Sequence, residues 1–378
     1  MPADATECAQ LLADAARERR TVRIIGSNTK AYVGDVVATD IEIGTSRLGG
    51  VIDHEPADLT VTVGAGMRLA ELAQVLERAG QFLPLDPPHA DEATIGGVIA
   101  ANSNGFWRAR YGAVRDLLIG TRIALADGSV TRAGGRVVKN VAGYDLDKLL
   151  VGSFGTLGVI VEATFKVLPL PTASDGLVAR FARSVDAFGA ADAIVRGASR
   201  VEACVVERSE GTAWRLAVQA RGNAATVKRA IEDARRESAI RQGETSELGA
   251  AFAALRELPA RATEGALVRV SLPIAASPAY AETAARLPSL DALVADAASG
   301  VIRAHLLGDD DAVVRDAEAL LVAARVVGGA GRIERRAEQL RPRLQTWPTR
   351  PNGDFLMLRI KEAFDPAGVL EPGRAAFV

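Results

Sequence analysis

TIGGVIAANSNG, residues 94–105, is the stretch whose reading decides the fold. Gly96, Gly97 and Ala100 leave a run of backbone almost bare of side chains. Thr94 and Asn102 add short polar groups, and Gly105 closes the run. Bare backbone lets N–H groups approach a ligand closely, and glycine also permits positive φ. A dinucleotide carries two pyrophosphate charges that such N–H groups can meet. IIGSNTK, residues 24–30, has the same character: a strand, then Gly26, Ser27, Asn28, Thr29 and Lys30. Each charge-assisted bond from such a loop is worth roughly 1.5–3 kcal/mol before ordering costs. Either run alone reads equally well as an ordinary tight turn. The two together point to a phosphate cradle.

The flanks supply the scaffold. ADATECAQLLADAARERR (3–20) has acids first and arginines last, as a helix dipole favours, and is not a signal peptide. TVRIIG, IEIG and GGVIDHEP read as short strands, and LAELAQVLERAG (69–80) as a helix with a closing glycine. LPLDPPHADEA (83–93) is a proline- and acid-rich loop, and LIGTRIALADGSVTRAG (118–134) a hairpin turning at Asp127-Gly128. One competitor is LTVTVGAGMRLAEL (59–72), which runs strand, Gly64-x-Gly66, helix. A Rossmann fingerprint needs a third glycine at 69, where Leu69 stands, and an acid ending a strand about 20 residues on, where the LPLDPP loop lies. The pair reads as a strand-to-helix turn.

Proline punctuation near 171 ends this half. From about 175 to 335, strands such as LVARFA, VEACVVE, WRLAVQA, ALVRVSLP and GVIRAHLLG alternate with helices such as AATVKRAIEDARRES and DDAVVRDAEALLVAA. This is the pattern of repeated β-α-β units on one antiparallel, ferredoxin-like sheet. The expected organisation is α+β: a first domain over 1–171, a cap domain over 175–335, and a segment over 336–378 that returns to the first.

Composition removes several function classes. The formal net charge of −2 leaves no footprint for nucleic acid and no polybasic patch for anionic lipid. Cys8 and Cys204 are far apart and no C-x-x-C occurs, so neither a chain-borne iron–sulfur cluster nor a disulfide framework is expected. LLVGSFGTLGVIV (149–161) is too short and glycine-rich to span a membrane. A cytoplasmic location follows, with any inner-membrane contact made through a partner.

GSNTK, LDPP, TIGGVIAAN, YGAVRDLLIGTRIALADG and KNVAGYDLDKLLVGSFGTLGVIVEATFKVLP, in that order and spacing, resemble the FAD-binding domain of the vanillyl-alcohol-oxidase and p-cresol-methylhydroxylase (PCMH) type. Within that family the resemblance is to the FAD-binding subunits of bacterial glycolate oxidases. It is strong over 1–171, weak in the tail LEPGR, and one of pattern only in between. It implies FAD as cofactor, a first pyrophosphate loop at Gly26, Ser27, Asn28, Thr29 and Lys30, and a second at Asp86, Pro87, Thr94, Gly96, Gly97, Ala100, Asn102 and Gly105. It places Lys139, Gly143, Tyr144 and Asp145 near the flavin. Gly155, Thr156 and Gly158 would turn the chain so that the backbone of Val159 and Ile160 meets the adenine; both also read as buried strand. Many relatives link FAD through a histidine in the first loop. Asn28 and Thr29 stand there, so non-covalent binding is implied. The tail motif LNPG is LEPG here, with Glu371 in place of asparagine, and Arg374 reads either as positive charge near the cofactor or as a plain surface arginine.

Relatives that oxidise D-2-hydroxy acids carry H-x-H-x-G-D-G-N in the cap and bind a divalent metal there. The matching stretch here is Arg303-Ala304-His305-Leu306-Leu307-Gly308-Asp309-Asp310, and the chain has three histidines in all, His54, His89 and His305. No metal site is expected. His89 sits beside the proposed flavin loop as a proton acceptor or a solvated loop histidine. The resemblance thus implies a glycolate oxidase FAD-binding subunit, acting on a small hydroxy acid with a second flavin subunit and an iron–sulfur subunit. Three alternatives stand: a lone FAD-dependent hydroxy-acid dehydrogenase, a non-catalytic flavin scaffold, and a nicotinamide-dependent reductase of the peptidoglycan-precursor type, whose catalytic serine and glutamate have no counterpart here.

Overall fold

A computed structural model describes residues 1–35, 37–135, 145–209, 213–348 and 353–375. It divides into two compact units. The first comprises Met1–Gly105, Gly112–Leu170 and Thr349–Val378, and the second Phe106–Tyr111 and Pro171–Pro348.

The first unit opens with α1 (Ala5–Glu18). Asp4 caps it by accepting from the N–H groups of Thr6 and Glu7, and left-handed Arg19 ends it. β1 (Val22–Ile25) and β2 (Ile41–Gly44) pair in parallel. Five antiparallel strands follow in the order β3-β4-β8-β6-β7: β3 (Val51–Glu55), β4 (Thr60–Gly64), β6 (Leu118–Ala124), β7 (Val130–Gly134) and β8 (Val159–Lys166). A small pair joins β5 (Gln81–Phe82) to β9 (Leu168–Pro169). Central β8 is covered on both faces, which explains its nearly continuous apolar run. Ile160, Ala163 and Phe165 pack with α2 (Leu69–Arg78) and α3 (Ile95–Ala100). Val159 and Val161 pack with Cys8 and Leu12 of α1. A Cβ on Gly64 would stand 2.3 Å from the Leu48 carbonyl oxygen, and one on Gly66 2.0 Å from that of Thr45. The G-x-G therefore serves backbone-to-backbone packing beside a strand-to-helix turn.

The second unit takes α4 (Arg108–Tyr111) from the stretch ahead of α5 (Val114–Leu117). It then runs β10 (Ala173–Phe181), α6 (Ser184–Arg196), β11 (Ala203–Ser209), β12 (Trp214–Gly222), α7 (Ala224–Ile240) and β13 (Glu244–Glu247). Two short helices, α8 (Ala251–Arg256) and α9 (Leu258–Arg261), lead to a second set: β14 (Ala266–Ser271), α10 (Ser277–Ala285), β15 (Leu290–Asp296), β16 (Val301–Leu306), α11 (Asp310–Val326) and β17 (Ala330–Arg336). Each set is β-α-β-β-α-β, and the eight strands form one antiparallel sheet, β13-β10-β12-β11-β15-β16-β14-β17. The second strands of the two sets meet, Val205 opposite Asp296. Helices α6, α7, α10 and α11 cover one face, where Leu216, Val218, Val268, Val270, Ile302 and Ala304 are buried. The other face is apolar in part: Val205, Leu267 and Val294 lie under Phe106, Leu255 and Leu258.

Two boundaries differ from the sequence reading. Residues 106–111, expected in the first domain, join the second unit. Trp107 donates Nε1–H to Gln219 Oε1 at 3.2 Å and lies under the Arg221 guanidinium at 4.5 Å, and Phe106 meets Phe252 edge-on. Residues 336–348, expected in the returning tail, also stay with the second unit. Leu340 and Leu344 fill its core, and Ile333 N–H bonds to the Thr346 carbonyl at 3.1 Å. The tail's helix is α12 (Asp354–Phe364).

Candidate functional site: a backbone-lined pocket in the first unit

The end of β1 opens into a pocket whose walls come from four separate stretches, with Thr45 beside them. Residues 24–31 form the first wall. Asn28 is left-handed at φ 62°, so the chain turns sharply there, and Ala31 N–H closes onto the Asn28 carbonyl at 3.2 Å. Gly26, Ser27, Asn28 and Thr29 donate no backbone hydrogen bond among the described residues. The Ser27 hydroxyl is buried and likewise unpaired among them. A buried hydroxyl without a partner is costly and rare in native structures. Successive unmet N–H groups in a turn make an anion-binding concavity.

The second wall is Thr94, Gly96, Gly97, Ala100 and Ala101. Thr94 caps α3, its hydroxyl accepting from Gly97 N–H at 3.4 Å. A Cβ on Gly26 would stand 2.2 Å from that hydroxyl oxygen, so the first two walls touch only because residue 26 is glycine. On Gly97 a Cβ would meet only the Thr94 hydroxyl, at 3.1 Å.

Phe154, Gly155, Gly158 and Ile160 make the third wall. Left-handed Phe154, φ 53°, donates its N–H to the Ala100 carbonyl at 2.8 Å and fixes this wall to the second.

Glu371 and Arg374 make the fourth. The tail lies parallel to β1, with Val22 N–H on Val369 O and Glu371 N–H on Val22 O, both at 2.8 Å. Glu371, left-handed at φ 46°, accepts from Ile24 N–H through Oε1 at 2.5 Å. Burial pushes its carboxyl above the usual range against the pull of Arg374. Arg374 donates to the carbonyls of Ala31 at 3.0 Å and of Val33, and pairs with Glu371 at 3.5 Å. Burial lowers its guanidinium. Lys361 of α12 anchors the tail, donating to Thr156 O and Leu370 O at 2.9 Å each and to Asp365 at 2.6 Å.

Thirteen expected site residues therefore share one pocket: Gly26, Ser27, Asn28, Thr29, Lys30, Thr94, Gly96, Gly97, Ala100, Gly155, Gly158, Ile160 and Arg374. Others do not line it. Lys30 itself spends its ammonium on the Pro88 carbonyl at 2.7 Å. Asp86 is buried against Gly105, where a Cβ would stand 1.9 Å from its carbonyl oxygen, and Pro87 follows it off the wall. Asn102 ends α3, donating its N–H to the Ile99 carbonyl at 3.0 Å. Thr156 turns its hydroxyl onto Ser153 O, Val159 faces α1, and Asp145 begins a 3₁₀ turn. Lys139, Gly143 and Tyr144 lie outside the described residues. Arg374, for which the sequence left a surface role open, is a half-buried staple between the tail and the first loop. Sequence reasoning missed Thr45, which parallel pairing with β1 brings in, and the position of Glu371 on the wall.

The histidines hold structure. His54 Nε2 donates to Gln81 Oε1 at 2.9 Å. His89 is left-handed, φ 56°, and its carbonyl accepts from Glu92 and Ala93. His305 places Nδ1 on Asp291 at 2.8 Å and Nε2 on the Glu264 carbonyl at 2.9 Å, so neither ring nitrogen offers a lone pair to a metal. Asp309, the next member of that stretch, caps α11. Both cysteines are buried, and burial pushes the Cys8 thiol up to about 12.

Bare backbone donors, a close contact that only glycine allows at residue 26 and an orphaned serine hydroxyl fit a pyrophosphate-bearing cofactor, and the site defines a dinucleotide-binding protein. Residues 1–134 match the FAD binding domain family. The chain is 46% identical over 153 residues to glycolate oxidase subunit GlcE of Escherichia coli (strain K12), covering 40% of this chain and 43% of that protein. It is 39% identical over 141 residues to glycolate oxidase subunit GlcD of Bacillus subtilis (strain 168), covering 37% and 30%. Among solved structures, p-cresol methylhydroxylase with substrate bound superimposes with a TM-score of 0.75 at 16% identity, over 99% of this chain and 87% of that one. Residues 1–134 thus carry an FAD binding domain, and the chain shares the fold of p-cresol methylhydroxylase. The matched region is less than half the length of either curated relative, and among the described residues no helix is long and apolar enough to cross a membrane.

Proposed function

We propose that this chain is the FAD-binding subunit of an oxidoreductase that oxidises a small 2-hydroxy acid, such as glycolate to glyoxylate, together with a second flavin subunit and an iron–sulfur subunit. The observation that carries the reading is the run of four unmet N–H groups at 26–29 facing the bare wall of Gly96 and Gly97. When bound, FAD supplies the two-electron chemistry of the reaction. This chain's residues hold it. Gly26 to Thr29 and the Ser27 hydroxyl meet the pyrophosphate. The Gly155 to Ile160 wall receives the adenosine part, and Arg374 keeps the first loop closed by gripping its carbonyls. With no histidine in the first loop, the cofactor is held without a covalent bond.

The relatives' names, glycolate oxidase subunits, support membership in a complex. The state of His305, both nitrogens tied within its own unit, supports leaving activation of the substrate hydroxyl to a partner. Anaerobic titration with glycolate or D-lactate, with and without co-expressed partners, tests this. Flavin bleaching only in the assembled complex is expected. Bleaching of the isolated chain makes it a complete dehydrogenase; none in either setting makes it a scaffold. A colourless protein that takes up no FAD ends the proposal.

A further inference from the structure

The pocket of the first unit is polarised. Its first wall offers the N–H groups of Gly26, Ser27, Asn28 and Thr29, and its fourth wall offers a carboxyl group, that of Glu371. The Glu371 side chain is 5% exposed. Its Oε1 accepts from Ile24 N–H at 2.5 Å. Its Oε2 accepts no hydrogen bond among the described residues. Arg374 Nε stands 3.5 Å from that oxygen and is itself buried without a hydrogen-bond partner among them. A Cβ on Gly155 would stand 3.1 Å from Glu371 Cγ, so the carboxyl group lies against the third wall.

The place of this carboxyl group limits what it can meet. β2 and the tail flank β1, both in parallel, and their carboxyl ends open on the pocket. Nucleotides bind at such ends in open sheets, where an acid near the phosphate loop takes a ribose hydroxyl. Glu371 reaches the equivalent place from the far end of the chain. Ile24, which holds its Oε1, precedes Gly26 by two residues, about 7 Å along an extended strand. A pyrophosphate offers only acceptors and negative charge, so against an ionised carboxylate it is repelled. A sugar hydroxyl offers a proton. Glu371 is also left-handed at φ 46°, a strained setting for a long side chain, and such strain gathers at ligand sites.

We propose that Glu371 receives the adenosine end of the cofactor, its Oε2 accepting from a ribose hydroxyl, and so selects FAD over FMN. FMN carries a phosphate for residues 26–29 but no second sugar for Glu371. The inference rests on the reading above that FAD fills this pocket, and it adds which end of the dinucleotide lies toward the tail. Arg374 is then a positioning residue, which ties Glu371 to the first loop while gripping that loop's carbonyls.

Calorimetric titration of the full chain, freed of flavin, tests it with four probes: FAD, FMN, and two FAD analogues lacking the 2′ or the 3′ hydroxyl of the adenosine ribose. The wild-type chain should bind one analogue about tenfold more weakly than FAD, the worth of one charge-assisted hydrogen bond. Glu371→Gln leaves Ile24 N–H an acceptor and removes the charge. It should weaken FAD by about the same factor, lose most of the discrimination against that analogue, and leave FMN unchanged. Both analogues binding like FAD to the wild-type chain overturn the proposal without need of any variant. Discrimination undiminished in Glu371→Gln overturns it too, since another group then holds the ribose. FMN weakened as much as FAD would put the ribityl chain at Glu371, and FAD tightened by the substitution would put phosphate there; either result sinks the assignment. The two readings fail separately. No FAD uptake by the wild-type chain ends the cofactor reading, whereas tight FAD binding indifferent to both ribose hydroxyls ends only this one.

Discussion

The two units arrange their polar groups by opposite means. In the first unit the pocket is made of main chain: its walls are glycines, alanines and turn N–H groups, and the charged residues around it, Lys30, Lys361 and Arg374, spend themselves on carbonyls of the scaffold. In the second unit the sheet face opposite the four helices gathers side chains instead, with Arg303, Arg269 and Arg332 around Glu334. A main-chain site fails when atoms are added, and a side-chain site when charge is removed. The comparison teaches where each unit should be attacked.

The largest effect should come from adding atoms to the cradle. Gly97 lines the pocket, and a Cβ there meets only the Thr94 hydroxyl, so the side chain of Gly97→Leu competes with the cofactor for that space. Loss of two charge-assisted bonds corresponds to ~3 kcal/mol, on the order of 100-fold in FAD affinity. Flavin fluorescence during reconstitution measures it, and the thermal transition should change little. FAD uptake at wild-type affinity would break the main-chain half of the comparison.

Next comes the anchor of the tail. Lys361→Met leaves Asp365 buried without its cation, which costs about 3–5 kcal/mol. Urea unfolding should show that loss, and FAD affinity should fall with it because Glu371 and Arg374 ride on the same segment.

A pH effect belongs to the second unit. Burial raises Asp296 from 3.8 to about 6. Between those values the native state holds a proton that the unfolded chain has released, so stability declines as pH rises through the window. Asp296→Asn should flatten that decline in urea midpoints taken at half-unit steps; an unchanged slope assigns it to other carboxyls.

The smallest effect tests the stretch that looked most like catalytic machinery. Asp309 caps α11, accepting from Asp311 and Ala312 N–H. Asp309→Ala should cost ~1 kcal/mol and leave FAD binding untouched. A selective loss of substrate-driven flavin reduction would return that residue to the chemistry.

Much of the first unit was legible because its signals are local. A glycine whose Cβ would collide, as at Gly26, leaves its mark at one position, and a strand covered on both faces, as β8, leaves an apolar run. Asp86 and Gly105 do not line the pocket, and what the sequence could not distinguish there has the same cause. A glycine required by packing against a neighbouring carbonyl looks in sequence like one required by a ligand. The second unit's two β-α-β-β-α-β sets were visible as a pattern, but the allegiance of FWRARY (106–111) was not, because Trp107 finds Gln219 and Arg221 only through folding.

By itself the sequence determined the α+β class, the two bare-backbone loops and the lack of a histidine pair in the cap, since each depends on residue type at short spacing. The tertiary structure alone decided which of those residues face one pocket, that Glu371 and Arg374 close it from more than 340 positions away, and that three arginines scattered over 269–332 stand in one row. Strand register brings them together, and register is settled by the buried face of the sheet rather than by the charged residues that ride on the other side.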